Sequence, residues 1–397
     1  MEAVLMFKRL DLAIINRSFW PIYPVIGEAL MRFAEQQAKT HKVGVILQDH
    51  ADIRAQLSMH QRGEKVDFYP AHAFSVSGSA ILRRALDAVF FMLWVFVVLL
   101  IKRPKKVYVS TDPPVLVPFI VMLYCAVSRS QYVYHLQDIH PEAANVVIPI
   151  KPFLFRIMCW LDSVTMRRAS LLITITQEMA DQIRMRSDTR SPIEVLANPS
   201  VSFNQVKLSE QKKTGFTFCG NAGRLQRIPL LIKAIDQYCQ KGGTLPFVFA
   251  GAGVYASDLD QLAQRHSNVT YKGVVSASDA AQLNADFEWA LLPIEDEVTR
   301  YAFPSKSSSY VFSGALIAAV CGSETSVARW VVNNRLGEVI VPSDEALSQF
   351  FLNVENALYD AKDFDLERSE LKRSLGFDMF VQKLNTLVFD MDGCKNG

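Results

Sequence analysis

The sequence predicts an α/β protein with two domains, each built around a parallel β-sheet. Short runs rich in Val, Ile, Phe and Tyr alternate with helical patterns along the chain, which is typical of repeated βαβ units. A polar segment without periodicity, residues 198–215, interrupts this alternation and indicates a linker. The chain has 397 residues, more than a single hydrophobic core usually supports. We therefore predict one domain over residues 1–200, a second over 201–375 and a terminal helix within 376–397.

Each predicted strand is a short run of β-branched and aromatic residues, and most of these runs end at a polar residue, Gly or Pro. In the first domain the predicted strands span residues 10–16, 42–48, 66–70, 106–114, 132–138 and 171–176. In the second domain they span residues 216–220, 247–253, 269–275, 289–294, 316–320 and 337–342. Open parallel sheets bind ligands beyond the carboxyl ends of their strands, so we expect the functional site there, in a cleft between the domains.

Composition restricts the class of function. Half of the residues are apolar and 21% are charged, which is typical of a folded protein. The net charge of +2 argues against a nucleic-acid-binding protein, which usually has a stronger basic excess. The six cysteines form no CxxC or Cys/His cluster, so we expect no metal site, no disulfide framework and a reducing cytoplasm. We also expect no signal peptide, because the N-terminal residues lack its pattern.

The most apolar run, residues 88–101, is shorter than the roughly 20 residues that a membrane-spanning helix needs. Basic residues flank it on both sides, and a second basic and aromatic segment covers residues 151–168. The flanking cations are Arg83, Arg84, Lys102, Arg103, Lys105 and Lys106. Two compatible interpretations remain open: both segments are helices packed on a sheet, or they place the protein on an anionic membrane surface.

Residues 220–235 follow a predicted strand with a Gly-containing turn, an arginine and an amphipathic helix, a pattern that favours anion binding. Gly220 and Gly223 allow the backbone to approach a ligand closely. Arg224 can donate two parallel hydrogen bonds to a phosphate, and Arg227 can share its face of the helix. The alternative is that Arg224 is an ordinary surface arginine.

A second Gly-containing turn, with Gly251 and Gly253, either admits a nucleotide or is a tight connection. The segment FPSK, residues 303–306, is typical of a helix start, where Ser305 can cap the helix. Lys306 adds a cation to a helix end that is already positive, which is unfavourable unless an anion binds there. We therefore predict a phosphate contact for Lys306 rather than a solvated side chain, and a diphosphate clamp formed with the arginine of the first turn.

These motifs resemble those of the GT4 family of GT-B glycosyltransferases, in particular the fucosaminyltransferase-like enzymes of bacterial capsule, O-antigen and exopolysaccharide synthesis. The matching segments are GNAGR (220–224, with Asn221), AGAG (250–253), FPSK (303–306), SGALIAAVCGSE (313–324) and LGEVIVPSD (336–344). In the N-terminal half the resemblance is looser and covers YHLQDIHPE (134–142) and Gly27. It implies a GT-B fold, in which two Rossmann-like domains face a central cleft and the terminal helix crosses back to the first domain.

The resemblance also implies an activity, that of a metal-independent, retaining hexosyltransferase without a cofactor. Its donor would be a nucleotide-diphosphate sugar, with UDP preferred to GDP. Its acceptor would be a lipid-diphosphate-linked saccharide at the inner face of the plasma membrane. The acceptor would bind the first domain and the nucleotide the second. Asp138 is the first choice for the base that takes the acceptor proton, with His140 and Glu142 nearby; alternatively, Asp138 only caps the turn after its strand.

The sequence departs from the family pattern at a pair of glutamates. When the chain is aligned on FPSK, these positions fall near Tyr301 and on Ser309, and neither residue is acidic. Glu324 is the substitute that we expect to contact the ribose, with Glu295 and Glu297 as further candidates. The missing pair keeps two rival functions open: a UDP-sugar 2-epimerase, and a non-catalytic scaffold or partner subunit.

Overall fold

Two parallel sheets organise the part of the chain that the computed structural model describes, which is residues 9–75, 81–208, 211–359, 363–365 and 367–389. The chain folds into two units. Met1–Pro199 and Phe377–Gly397 form the first unit, and Ser200–Gly376 forms the second. Each sheet belongs to one unit, and helices alternate with the strands in both. The α/β class predicted from the sequence is therefore confirmed.

The first unit contains a seven-stranded parallel sheet. Its strands are β1 (Leu12–Ile15), β2 (Val43–Asp49), β3 (Val66–His72), β4 (Lys106–Ser110), β5 (Gln131–Leu136), β6 (Leu171–Thr174) and β7 (Ile193–Val195). They are ordered β3-β2-β1-β4-β5-β6-β7, so the direction in which the chain crosses the sheet reverses between β1 and β4. The sequence analysis misses β7, because this edge strand has only 3 residues and no buried side chain.

Helices connect these strands and pack on the sheet. They are α1 (Ile26–Gln37), α2 (Ile53–His60), α3 (Ile81–Lys102), α4 (Leu116–Ser128), α5 (Glu142–Val147), α6 (Pro152–Arg168) and α7 (Gln177–Ser187). The central strand β1 is buried along its whole length, as expected for a strand covered on both faces. Leu12 and Ile14 of β1 pack with Leu30 and Phe33 of α1 in the hydrophobic core of this unit.

Helix α3 is longer than the apolar run predicts. Its segment Leu82–Lys102, 21 residues, is long and apolar enough to cross a membrane by length and composition. The expectation that this run is too short to span was therefore wrong. The predicted apolar run begins after Asp87, a charged residue that interrupts the apolar pattern. In the structure Asp87 lies within α3, is buried, and accepts hydrogen bonds from Gln48 and Ser75. The alternative interpretation, a helix packed on the sheet, is correct for one side of α3, where Phe91 and Leu99 are fully buried.

The second unit contains a six-stranded parallel sheet. Its strands are β8 (Lys213–Cys219), β9 (Phe247–Ala250), β10 (Val269–Tyr271), β11 (Phe287–Pro293), β12 (Leu316–Val320) and β13 (Gly337–Ile340). They are ordered β10-β9-β8-β11-β12-β13, so the reversal falls between β8 and β11. Aromatic rings fill the core, where Phe216 stacks on Phe247 with centroids 4.9 Å apart and Phe351 contacts both.

The helices of the second unit follow its strands in turn. They are α8 (Ile228–Gln240), α9 (Ala256–Arg265), α10 (Ala277–Asp286), α11 (Lys306–Ser313), α12 (Ser326–Asn333), α13 (Asp344–Glu355) and α14 (Ser369–Ser374), with one 3₁₀ turn at Glu297–Arg300. The terminal helix α15 (Phe377–Phe389) belongs to the first unit and packs on α1. Phe380 and Leu384 of α15 are buried there, and the Gln37 amide donates a hydrogen bond of 2.7 Å to Asn385.

Candidate functional site

The carboxyl edge of the second sheet is where four predicted site segments meet. The loops after β8 and β9 are joined side by side through backbone hydrogen bonds. The Gly220 N–H donates to the Ala250 carbonyl at 2.9 Å, and the Ala222 N–H donates to the Ala252 carbonyl at 2.7 Å. Because β8 lies at the point where the strand order reverses, this pair of loops borders the crevice that open α/β sheets use for ligands.

The two glycines of the second turn are required by this loop packing. Gly251 has φ +133°, and a Cβ at that position would lie 1.9 Å from the Gly220 carbonyl oxygen. Gly253 has φ +147°, and its Cβ would lie 2.3 Å from the Ala222 carbonyl oxygen. The tight-connection alternative therefore accounts for both glycines without a ligand, and a nucleotide contact at either one stays a prediction.

Lys306 begins α11 and turns its ammonium group into the site. Its Nζ atom is buried and has no hydrogen-bond partner, so the alternative of a solvated lysine is wrong. The nitrogen lies 3.7 Å from the centroid of the Phe218 ring and 3.2 Å from where a Cβ on Gly220 would be. Burial lowers the pKa of this ammonium to about 7. An unpaired cation in such a position is unfavourable until an anion approaches it.

Ser305 does not cap α11 as expected. Its side chain makes no capping hydrogen bond, and its backbone has φ −60° and ψ −25°. A capping serine needs an extended backbone to aim its hydroxyl at the next N–H groups, whereas Ser305 is already helical. The residue is exposed at the start of the helix, so its predicted contact with a ligand stays open.

The two arginines of the first turn have different roles. Arg224 is exposed and has no ion pair or hydrogen bond with any described residue, so it is available to a ligand. Arg227 is not available, because it donates to the Ile294 carbonyl at 2.8 Å and pairs with Asp296 at 3.0 Å and Glu295 at 3.1 Å. The expectation that Arg227 shares the anion-binding face is therefore wrong.

The rest of the first turn is partly occupied by its own side chains. Asn221 is exposed, and its amide nitrogen lies 2.9 Å from where a Cβ on Gly223 would be. The Gly223 N–H donates to the Gln226 side-chain oxygen at 3.2 Å. The Gln226 side chain thus occupies the Gly223 N–H, a backbone donor that the sequence pattern predicts for anion binding. A phosphate could bind this N–H only by displacing the Gln226 side chain.

The candidate acidic residues lie after β11 and β12. Glu324 is exposed in the loop before α12, and its carboxylate accepts a 3.4 Å hydrogen bond from Ser323. Glu297 is exposed in the 3₁₀ turn, whereas Glu295 pairs with Arg227. Sequence reasoning missed Asp296, which accepts from the Gly322 N–H at 2.8 Å as well as from the arginine and so fixes the two loops together.

In the first unit, Asp138 follows β5 at the carboxyl edge of the sheet. Its carboxylate accepts no hydrogen bond from any described residue, which removes the support for a turn-capping role. Burial raises the pKa of the Asp138 carboxyl, the positive charge of His140 opposes this effect, and the carboxylate of Asp112 adds to it. The Asp138 backbone N–H donates to the Thr111 hydroxyl at 3.4 Å.

Asp112 and Arg17 were missed by the sequence analysis, and they lie at the reversal point of the first sheet. Arg17 pairs with the Asp112 carboxylate at 3.0 Å, and the Ser18 N–H donates to the same carboxylate at 2.8 Å. Of these two residues, only Asp112 has a sequence feature that could have marked it as a candidate, because it lies in the polar end of a predicted strand. The pairing joins residues that are 95 positions apart in the chain.

Glu142 is engaged in a structural network. Its carboxylate pairs with Arg186 at 2.9 Å, and the same guanidinium contacts Asp162 and donates to the His140 carbonyl at 2.7 Å. Glu142 is therefore unsuited to be the alternative base that its position suggested. Through the His140 carbonyl, this network also holds the loop that carries Asp138.

Gly27 lies in the first turn of α1, at the carboxyl edge of β1. A Cβ there would lie 2.7 Å from the Trp20 backbone nitrogen and 2.8 Å from the Phe19 carbonyl carbon. The glycine lets the loop before α1 pack directly on the helix. This packing explains why a larger residue does not fit, and a ligand contact at Gly27 stays a prediction.

Within the described ranges, no group of three or more His, Cys, Asp or Glu side chains is placed to hold a metal ion. The described cysteines, Cys125, Cys159, Cys219, Cys239 and Cys321, are free thiols. Cys394 lies outside the described residues.

No protein-family model and no curated protein matches this sequence. Solved structures match nearly the whole chain. HepE from Anabaena, in complex with UDP, has 14% identity and a TM-score of 0.64, covering 95% of this chain and 99% of HepE. WaaG, a glycosyltransferase involved in lipopolysaccharide biosynthesis, has 12% identity and a TM-score of 0.65, covering 95% and 99%. A putative UDP-N-acetylglucosamine 2-epimerase from Listeria monocytogenes has 12% identity and a TM-score of 0.62, covering 95% of both chains.

At these identities the similarity shows the fold alone. The two parallel sheets of this chain, with their helices, form the GT-B fold of those glycosyltransferases, and the predicted fold class is confirmed. The match to an epimerase means that the fold by itself does not separate the two activities, so the function has to be argued from the site.

Proposed function

We propose that this protein is a glycosyltransferase that moves a sugar from a nucleotide-diphosphate sugar to a lipid-diphosphate-linked saccharide. The observation that carries the proposal is the buried, unpartnered ammonium of Lys306 at the reversal point of the second sheet. A diphosphate is the ligand whose charge matches this group and the free Arg224. The UDP bound to HepE supports UDP as the nucleotide.

The two cations would act mainly on the leaving group. When the bond between sugar and diphosphate breaks, negative charge grows on the diphosphate oxygens. Lys306 lies in a low-dielectric position against Phe218, where its interaction with that charge is strong. Lys306 and Arg224 would therefore stabilise the transition state more than the bound donor. In this proposal the two cations compensate the charge of the leaving group, and the reaction would be metal-independent and retaining, as the resemblance to GT4 enzymes implies.

Asp138 would take the proton of the acceptor hydroxyl. Its carboxylate is not consumed by hydrogen bonds with described residues, and its raised pKa makes it a better base than an exposed aspartate. Glu324 is exposed, and it would contact the ribose hydroxyls of the donor. The acceptor would be an intermediate in the synthesis of bacterial capsule, lipopolysaccharide or exopolysaccharide, held at the inner face of the plasma membrane.

A turnover assay tests this proposal. Purified protein is incubated with UDP-sugars, with and without a lipid-diphosphate-linked saccharide, and the products are UDP and glycosylated lipid. We expect UDP to be released only when the acceptor is present, and this release to be lost in Lys306→Met. Conversion of a UDP-sugar to its 2-epimer without acceptor would instead establish the epimerase. UDP binding without any conversion would establish a non-catalytic subunit.

A further inference from the structure

Helix α3 exposes an apolar strip along one side. Leu82 is 73% exposed and Leu93 is 53% exposed, and the spacing of the strip follows one side of the helix. The strip consists of Leu82, Leu86, Val89, Phe90, Leu93, Val97, Leu100 and Ile101. The opposite side is buried through Phe91, Val95 and Leu99. Soluble monomers rarely expose so many large apolar side chains side by side, so the strip indicates a contact surface.

The neighbouring helices extend this surface. Helix α3 packs beside α4, and α4 packs beside α6. The exposed apolar residues of α4 and α6 are Leu123, Val127, Phe153, Leu154, Ile157 and Trp160. We call the exposed side chains of α3, α4 and α6 the three-helix face. Trp160 contributes an amphipathic ring of the kind that favours a membrane interface.

All exposed charged side chains on these three helices are basic, among the residues that the structure describes. They are Arg83 and Arg84 on α3 and Arg156, Arg167 and Arg168 on α6. The two acidic residues of these helices are buried and satisfied. Asp87 accepts from Ser75 and Gln48, and Asp162 accepts from Tyr134 and pairs with Arg186. The partner of this face must therefore be apolar and negatively charged.

We propose that the three-helix face lies flat on an anionic lipid bilayer. Helix α3 has the length of a membrane span, but its inner side is part of the fold, because Trp94 donates to the Tyr69 carbonyl of β3 and Asp87 is bound to β2. The helix therefore lies in the membrane plane, with its arginines at the level of the lipid headgroups. A second copy fits this surface poorly, since two faces bearing only positive charge would repel each other.

This orientation places Asp138 of the first unit next to the lipid. The N-terminal half of α3 lies at the carboxyl end of β2, where Asp87 contacts Gln48. The N-terminal part of α6 lies near Glu142, which Cys159 approaches to 3.9 Å. Both helices thus present their N-terminal turns, with Leu82, Leu86 and Phe153, at the sheet edge that carries Asp138. A lipid-linked acceptor would reach Asp138 without leaving the bilayer, and this last step rests on the proposed function.

Vesicle flotation tests the proposal. The full-length protein is mixed with phosphatidylcholine vesicles that contain or lack phosphatidylglycerol, in parallel with Leu93→Glu and Arg84→Glu. Two matched controls carry the same changes elsewhere: Val332→Glu on α12, where the side chain is 59% exposed, and Arg54→Glu on α2. We expect wild type and both controls to float with the anionic vesicles, and Leu93→Glu and Arg84→Glu to lose more than about tenfold in partitioning.

Two further measurements make the outcome decisive. UDP affinity is measured on every variant and is expected to be unchanged, so that failure of membrane binding and failure of the proposed function are distinguishable. Light scattering gives the oligomeric state. The proposal is overturned if wild type does not bind anionic vesicles, or if Leu93→Glu binds them as wild type does. It is also overturned if wild type is a dimer that binds no vesicles and that Leu93→Glu converts to a monomer.

Discussion

The ammonium nitrogen of Lys306 lies 3.7 Å from the centroid of the Phe218 ring and has no hydrogen-bond partner, although it is buried. The ring face offsets part of the cost of holding the cation away from water. The rest of that cost remains until an anion binds. This relationship between a strand residue and a helix start supports the proposed diphosphate site, in which binding energy would come from a preorganised charge.

UDP binding should depend on pH through Lys306. In the free protein its pKa is about 7, and a bound diphosphate raises that pKa. Below pH 7 the ammonium is already charged, so the affinity for UDP should not depend on pH. Above pH 7 binding must take up a proton, so affinity falls by up to about tenfold per pH unit. Calorimetry between pH 7 and 9, in buffers of different ionisation enthalpy, measures both the affinity and the proton uptake. Proton uptake that persists in Lys306→Met would contradict this assignment.

Gly251→Ala should unfold or strongly destabilise the second unit. The added Cβ would lie 1.9 Å from the Gly220 carbonyl oxygen, a backbone atom that cannot move aside as a flexible side chain would. We expect a loss of more than about 3 kcal/mol in the free energy of unfolding. Gly273→Ala is the control, because Gly273 has φ +64° and open space around it. Its cost should be about 1 kcal/mol, from the left-handed backbone alone. Equal losses in chemical denaturation would refute the account of the paired loops.

Asp138→Asn should lower kcat without changing UDP affinity. Loss of a general base typically slows the chemical step by about 10²- to 10⁴-fold. Because burial raises the Asp138 pKa, the acid limb of the wild-type kcat profile should lie above the usual aspartate range. Asp188→Asn provides the same chemical change at an exposed helix end of the same unit. An unchanged kcat in Asp138→Asn would assign the proton transfer to another group.

Arg186→Met should destabilise the first unit. Asp162 is completely buried beside the guanidinium, and removing the cation leaves two carboxylates without their partner. Breaking a buried ion pair on one side costs about 3–5 kcal/mol. Arg184→Met is the matched control on the same helix, since Arg184 is 50% exposed and pairs only with the exposed Asp181. That change should cost less than about 1 kcal/mol. Thermal unfolding separates the two outcomes, and similar shifts for both variants would contradict the role of Arg186.

The sequence contained enough information for the fold and for the position of Lys306. Strands of a parallel sheet are buried on both faces, so their aliphatic and aromatic runs stand out against the helices between them. A Pro-Ser-Lys start before an apolar helix is likewise a local pattern. These features depend on neighbouring residues in the chain, and the structure places β1 to β6, β8 to β13 and α11 where such patterns occur.

Two of the misses share one physical cause, which is contact between distant segments. Arg227 is held by Glu295 and Asp296, and Arg17 is held by Asp112, and none of these pairings leaves a local signal. The length of α3 was underestimated because a buried Asp87 was counted as a boundary. Glu324 and Asn221 remain predictions, since exposure alone does not say which ligand atom they contact.

The most direct test of the central claim is a calorimetric titration of UDP into wild type, Lys306→Met and Lys241→Met at pH 7. Lys241 is an exposed lysine at the end of α8 and serves as the control. We expect wild type and Lys241→Met to bind UDP alike, and Lys306→Met to lose about 30-fold or more in affinity, as for a lost charge-assisted contact. Absence of UDP binding to folded wild type, or equal affinity in Lys306→Met, would contradict the diphosphate site.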